Sequence, residues 1–161
     1  MKARRILVPV NGSAPDTDAV EFACNCAKKF KAEVYAIYVI EVKRALPLDA
    51  EIQPEIERGE QVLERAEQVA QAMDCQIQAE LLQARDVGPA IVDEAIERGV
   101  DLIVMGLSYK KRFGEFNLGR AVPYVLKHAP CRVWVLRESF EQSERSKAAE
   151  RQLQPAEANS R

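Results

Sequence analysis

Five short apolar runs alternate along this chain with four longer segments of helical periodicity, and that alternation restricts the fold more than any other feature of the sequence. Residues 6–10 (ILVPV) form a continuous apolar run, as expected of a strand covered on both faces. Residues 34–42, 76–82, 101–105 and 132–136 read as four further strands, rich in Val, Ile, Leu and aromatic side chains. Between the first two runs, Ala19, Phe22, Ala23, Cys26, Ala27 and Phe30 recur at helical spacing. From residue 52 or 54 to 73, Ile56, Leu63, Ala66, Ala70 and Met73 line one side of a long helix, while Glu57, Glu60, Glu64 and Glu67 belong to a solvated face. Residues 87–98 form a third helix, with Asp86 as its cap, Pro89 in its first turn and Gly99 at its end; residues 119–128 form a fourth. Strand–helix alternation with right-handed crossovers predicts an α/β protein with a mainly parallel, doubly wound sheet and helices on both faces. Such sheets bind ligands beyond the carboxyl ends of their strands, where the strand order reverses.

Two loops at those ends carry small polar residues. Asn11-Gly12-Ser13 is turn chemistry, and Ser13 followed by Asp16 resembles a capping box, with Pro15 in the first turn of the helix. The second loop lies between Gly106, which ends the fourth apolar run, and Gly119, which opens the next helix. It holds a basic run, Lys110, Lys111 and Arg112. Strand, loop and helix start in that order present backbone N–H groups to an anion, so an anion or nucleotide pocket is expected. The stretch GEFNLGRA (residues 114–121) nearly matches the Walker phosphate loop, but Arg120 stands in place of the lysine and Ala121 has no hydroxyl for Mg²⁺. A P-loop NTPase is therefore set aside.

Composition narrows the partners. The chain has 161 residues, one domain's worth, and is 47% hydrophobic and 30% charged. Its net charge of −2 gives no overall attraction to nucleic acid or to an anionic membrane. No apolar window approaches a membrane span, and the short apolar stretch after MKARR reads as a first strand, not a secretion signal. A cytoplasmic protein is expected. Cys24, Cys26, Cys75 and Cys131 show no metal or disulfide spacing and read as small buried hydrophobes. His128 caps its helix or faces solvent. From Glu138 onward large apolar residues thin out, so the expected organisation is a domain over residues 1–137 and a disordered or partly helical tail over 138–161.

Four segments in order and spacing resemble the universal stress protein family: ILVPVNGS (residues 6–13), YVI (38–40), DLIVMG (101–106) and APCRVWVL (129–136). The resemblance covers residues 5–136. It implies strand order 3-2-1-4-5, a homodimer, a role in stress survival and, in one branch of the family, adenine nucleotide binding. That branch is similar in its pattern G-x2-G-x9-G-[ST]. Gly106 and Gly119 match the outer glycines, but Tyr109 falls on the middle glycine, Arg120 on the hydroxyl residue, and Asn11 on the family's aspartate after the first strand. Tyr109 would block the ligand or force another loop path. Arg120 at a helix N-terminus would face solvent or meet an anion, and Asn11 keeps an acceptor while gaining donors.

By this resemblance Pro9, Val10, Asn11 and Val39 would border a base and ribose. Gly106, Ser108, Gly119, Arg120 and Ala121 would surround phosphates, under a lid of Lys110, Lys111 and Arg112. The implied ligand is ATP or another adenine nucleotide, with Mg²⁺ left open. The protein is then a non-enzymatic regulator; the nearest carboxylates for catalysis, Asp86 and Glu115, form no acid–base pair. The alternative is a scaffold, or a module regulating a membrane transporter, that has lost its nucleotide. Trp134 and Val133 alternate in the last strand, which suits either a dimer edge or a core.

Overall fold

A computed structural model describes residues 1–109 and 119–154. Its elements are β1 (Arg5–Pro9), α1 (Pro15–Phe30), β2 (Glu33–Glu41), α2 (Gln53–Ala72), β3 (Ile77–Ala84), α3 (Val87–Arg98), β4 (Leu102–Leu107), α4 (Ala121–His128), β5 (Arg132–Arg137) and α5 (Phe140–Leu153). The strands form one sheet in the order β3-β2-β1-β4-β5, and every pairing is parallel. The alternation and the order 3-2-1-4-5 are both present. Strand order reverses between β1 and β4, where Ile6 lies beside Leu102 and Leu7 beside Ile103.

Alternate side chains of the apolar strands feed two cores, because neighbouring Cβ atoms point to opposite faces. Ile6 and Val8 pack with Ala19, Val20 and Ala23 of α1 and Leu63, Ala66 and Ala70 of α2. Leu7, Ile37 and Ile103 pack on the other face with Ile91, Val92 and Ala95 of α3 and Val122 and Val125 of α4. Trp134 sits at the rim of the first core, its ring 4.9 Å from that of Phe22, and Val133 turns to the second.

Several local expectations need correction. Gly106 does not end β4; it lies inside the strand, opposite Leu136 of β5. Ser13 does not cap α1. The N-cap is Ala14, with no side-chain cap bond, and Asp16 folds its carboxyl back onto the preceding turn. Asp86 occupies the N-cap of α3, yet its side chain makes no capping bond. Cys24 and Cys26, by contrast, are buried as expected, because α1 is covered by the sheet on one side and by α2 on another. Burial together with the adjoining thiol of Cys75 pushes Cys24 up to about 12, so it packs as a neutral group.

Residues 140–153 are helical. α5 starts in a complete capping box: the Ser139 hydroxyl accepts the Gln142 N–H and the Gln142 side chain accepts the Ser139 N–H. Gln142 then donates to the Asp18 carboxyl of α1 at 2.7 Å.

Candidate functional site

A cavity of about 270 Å³ opens at the carboxyl ends of β1, β2 and β4, at the reversal of strand order. Its position follows from topology. The chain leaves β1 toward one face and β4 toward the other, so the ends of the two neighbouring strands diverge and leave a crevice. Pro9, Val10 and Asn11 come from the end of β1 and just beyond it, Ile37, Tyr38 and Val39 from β2, and Met105, Gly106 and Leu107 from β4, with Ser108 directly after it. Val87 and Ile91 of α3 close one side, and Gly119, Arg120, Ala121 and Val122 supply the start of α4. The deep wall is apolar and the mouth is polar, the usual division in a small-molecule site.

Nine of the residues selected from sequence meet here: Pro9, Val10, Asn11, Val39, Gly106, Ser108, Gly119, Arg120 and Ala121. Lys110, Lys111 and Arg112, and with them Glu115, lie outside the described residues. The tail from residue 155 does so as well.

Gly106 has a packing reason to be glycine. A Cβ there would lie 2.6 Å from the Pro15 carbonyl oxygen and 2.8 Å from its carbonyl carbon, so the first turn of α1 rests directly on β4. Gly119 has a conformational reason: its φ of 69° is left-handed, which a side chain resists.

Asp16, read from sequence only as a helix cap, lines the cavity and organises its β1 side. Its carboxyl accepts the N–H of Gly12 at 2.7 Å and of Asn11 at 3.2 Å. The Asn11 side-chain oxygen in turn accepts the Ser13 N–H at 3.0 Å. The three amides of this turn are thus held by the chain's own side chains. Burial pushes the Asp16 carboxyl up from 3.8 to about 6, against the opposing pull of the two amides and of Arg65 nearby.

The β4–α4 side is different. Arg120 is the only cation among the described residues lining the cavity. Its guanidinium meets Glu41, the last residue of β2, at 3.3 Å, so neither of the two expected situations, solvent alone or a bound anion, describes it fully. The Arg120 side chain is 86% exposed and that of Glu41 45%, so the pair is worth less than about 1 kcal/mol and is open to exchange. Tyr109 does not fill the cavity. Its ring lies edge-on to Phe140 at 5.7 Å and beneath the Arg137 guanidinium at 5.0 Å.

The described residues hold no group of three or more metal-ligating side chains, and no described helix is long and apolar enough to cross a membrane. Of the lining residues not selected from sequence, Ile37, Val87, Ile91 and Val122 are apolar and lie outside the quoted motifs, whereas Ser13, Tyr38 and Met105 lie within them.

Fold and cavity together define a doubly wound α/β protein with a crevice at its switch point. The chain belongs to the universal stress protein family, whose sequence pattern matches residues 2–137. A universal stress protein of Methanocaldococcus jannaschii is 34% identical over 141 residues, which cover 84% of this chain and 82% of that one. The solved universal stress protein UspA of Lactobacillus plantarum superimposes with a TM-score of 0.68 at 26% identity, over 85% of this chain and 99% of its own. A universal stress protein of Archaeoglobus fulgidus, solved in complex with dAMP, gives 0.66 at 22% identity over 84% and 98%.

Proposed function

We propose that this protein is a stress-response regulator that binds an adenine nucleotide in the β1–β4 crevice and acts through binding, not catalysis. The observation that carries the reading is Arg120, the one cation among the described residues lining the switch-point cavity, at the N-terminus of α4. A nucleoside fits the apolar wall of Val10, Ile37, Val39 and Met105, and phosphates lie toward Ser108, Gly119, Arg120 and Ala121. The cavity is near the small end of ligand pockets, roughly 300 Å³, so the phosphates extend past the mouth. ATP is the expected ligand, and Mg²⁺, if present, is held by its phosphates and water. The complex with dAMP in the Archaeoglobus fulgidus relative supports the class of ligand.

β5 is an edge strand with half-buried Val133, Trp134, Val135 and Leu136, which supports a homodimer paired through that edge. The cytoplasm is the proposed compartment.

A second reading has its own observation. Asp16 already occupies the amides of the first turn and Glu41 already neutralises Arg120, the arrangement expected of a scaffold or transporter-regulating module that has lost its ligand. Titration calorimetry with ATP and AMP, with and without Mg²⁺, separates the two. Micromolar or weaker binding is expected, and nucleotide should appear in an acid extract of freshly purified protein. No heat with either nucleotide and a clean extract would leave the scaffold reading standing.

A further inference from the structure

Glu138 and Ser143 are the two buried polar residues of the described structure, at 7% and 3% exposure, and both lie in the segment after β5. A carboxyl is seldom buried without a partner. The Glu138 carboxyl accepts the backbone N–H of Tyr109 at 3.0 Å, and the Glu138 N–H donates to the Leu107 carbonyl at 2.8 Å. The β4–β5 pairing is thereby extended by one residue, to the point where the chain leaves β4 beside Ser108, which lines the cavity. Phe140 and Arg137, on either side of Glu138, hold the Tyr109 ring. The same segment is also bonded to α1, through Gln142 to Asp18 in its first turn.

We infer that Glu138 is a positioning residue for the phosphate side of the crevice: by holding the Tyr109 amide it ties the end of β4 to the segment after β5 and keeps Ser108 at the mouth. The inference rests on the nucleotide reading above. It also accounts for the absence of a glycine at residue 109. A glycine lets backbone pass close to a ligand, and here residue 109 is tied instead to the segment after β5, where its half-buried ring is accommodated between Phe140 and Arg137.

The test compares Glu138→Ala and Glu138→Gln in the full chain, since glutamine keeps an acceptor oxygen for the Tyr109 N–H. The first measurement needs no ligand: amide hydrogen exchange at Tyr109. Glu138→Ala should speed it by about tenfold or more, Glu138→Gln should leave it near wild type, and the amides of β1 should be unchanged in both. The second measurement is affinity for ATP and for adenosine. Glu138→Ala should weaken ATP by about tenfold and adenosine by less than about twofold, and Glu138→Gln should restore ATP binding.

Unchanged exchange at Tyr109 in Glu138→Ala overturns the inference. Equal weakening of ATP and adenosine overturns it too, because that is the signature of general loosening. Wild-type protein that binds neither ligand defeats the nucleotide reading first and this inference with it. Wild-type protein that binds both, with Glu138→Ala unaltered, defeats this inference alone.

Discussion

The Asp16 carboxyl receives the Gly12 amide at 2.7 Å, from inside the turn that a phosphate-binding loop would leave open. The first turn of α1 is thus tied back onto the end of β1, and the β1 side of the crevice is set without a ligand. Asymmetry follows. One side of the cavity is satisfied internally, and the other presents Arg120 and the start of α4.

Asp16 makes stability depend on pH. Its folded value, about 6, lies above the unfolded 3.8, so folding favours the protonated acid. Its contribution is complete below 3.8 and is lost as pH rises through about 6. Asp16→Asn keeps one acceptor oxygen and no titrating proton. The stability of wild type relative to Asp16→Asn should therefore fall by about 1–2 kcal/mol between about pH 4 and about pH 7, less than the full shift implies because the group is partly solvated. Urea unfolding of both proteins across that range measures it; parallel curves would rule it out.

Arg120 and Glu41 should separate stability from binding. Their exposed ion pair contributes less than about 1 kcal/mol, so Arg120→Ala should leave the unfolding midpoint almost unchanged. If phosphate takes the place of Glu41, the same change should weaken ATP by about tenfold, the value of one charge-assisted contact. Glu41→Gln releases the guanidinium and should strengthen ATP by about two- to fivefold, an advantage that shrinks with added salt. Calorimetry at two salt concentrations decides, and opposite changes in the two variants are the required result.

How much of this was legible in the sequence depends on the range of the interactions. Strand runs such as ILVPV and DLIVM carry their own signal, because a strand buried on both faces must be apolar throughout, and alternation then leaves few topologies. The crevice was legible for the same reason: it lies where the topology puts it, and Asn11, Gly119 and Arg120 flank it in sequence. The tie from Asp16 was not. An acidic residue in a first helical turn looks like a cap, and only the path of the turn shows which amides it takes. Whether Tyr109 blocks the ligand or takes another path was not legible, because its partners, Arg137, Glu138 and Phe140, lie at or beyond the end of β5, where the polar composition suggests a tail. Ser139 and Gln142 hold the reciprocal spacing of a capping box, a local signal of α5 present in the sequence itself.

Gly106→Ala tests whether that glycine serves packing. The added methyl would meet Pro15 backbone atoms at 2.6 and 2.8 Å, and neither the β4 strand nor the first turn of α1 can yield independently. A loss of about 1–3 kcal/mol is expected, as for other overpacked sites. Because the clash displaces α1 from β4, ATP affinity should fall as well. An unfolding midpoint equal to wild type would show that the two elements are looser than their contact implies.

The pair Phe22–Trp134 tests what holds α1 against the edge of the sheet. The rings lie 4.9 Å apart with planes at 52°, a tilted contact between a helix and the last strand. Trp134 is half-buried, so Trp134→Ala should cost about 2–3 kcal/mol, below the range for a fully buried tryptophan. Part of that loss belongs to the pair. A double-mutant cycle with Phe22→Ala should give a coupling of about 0.5–1.5 kcal/mol, the excess of an aromatic pair over area burial. Strict additivity would mean that Trp134 acts through the sheet and not through Phe22. The same variants should be compared by sedimentation. Trp134 packs inward on Phe22 while its backbone lies on the free edge of β5, so a monomer produced by Trp134→Ala but not by Phe22→Ala would place the indole itself at a subunit contact.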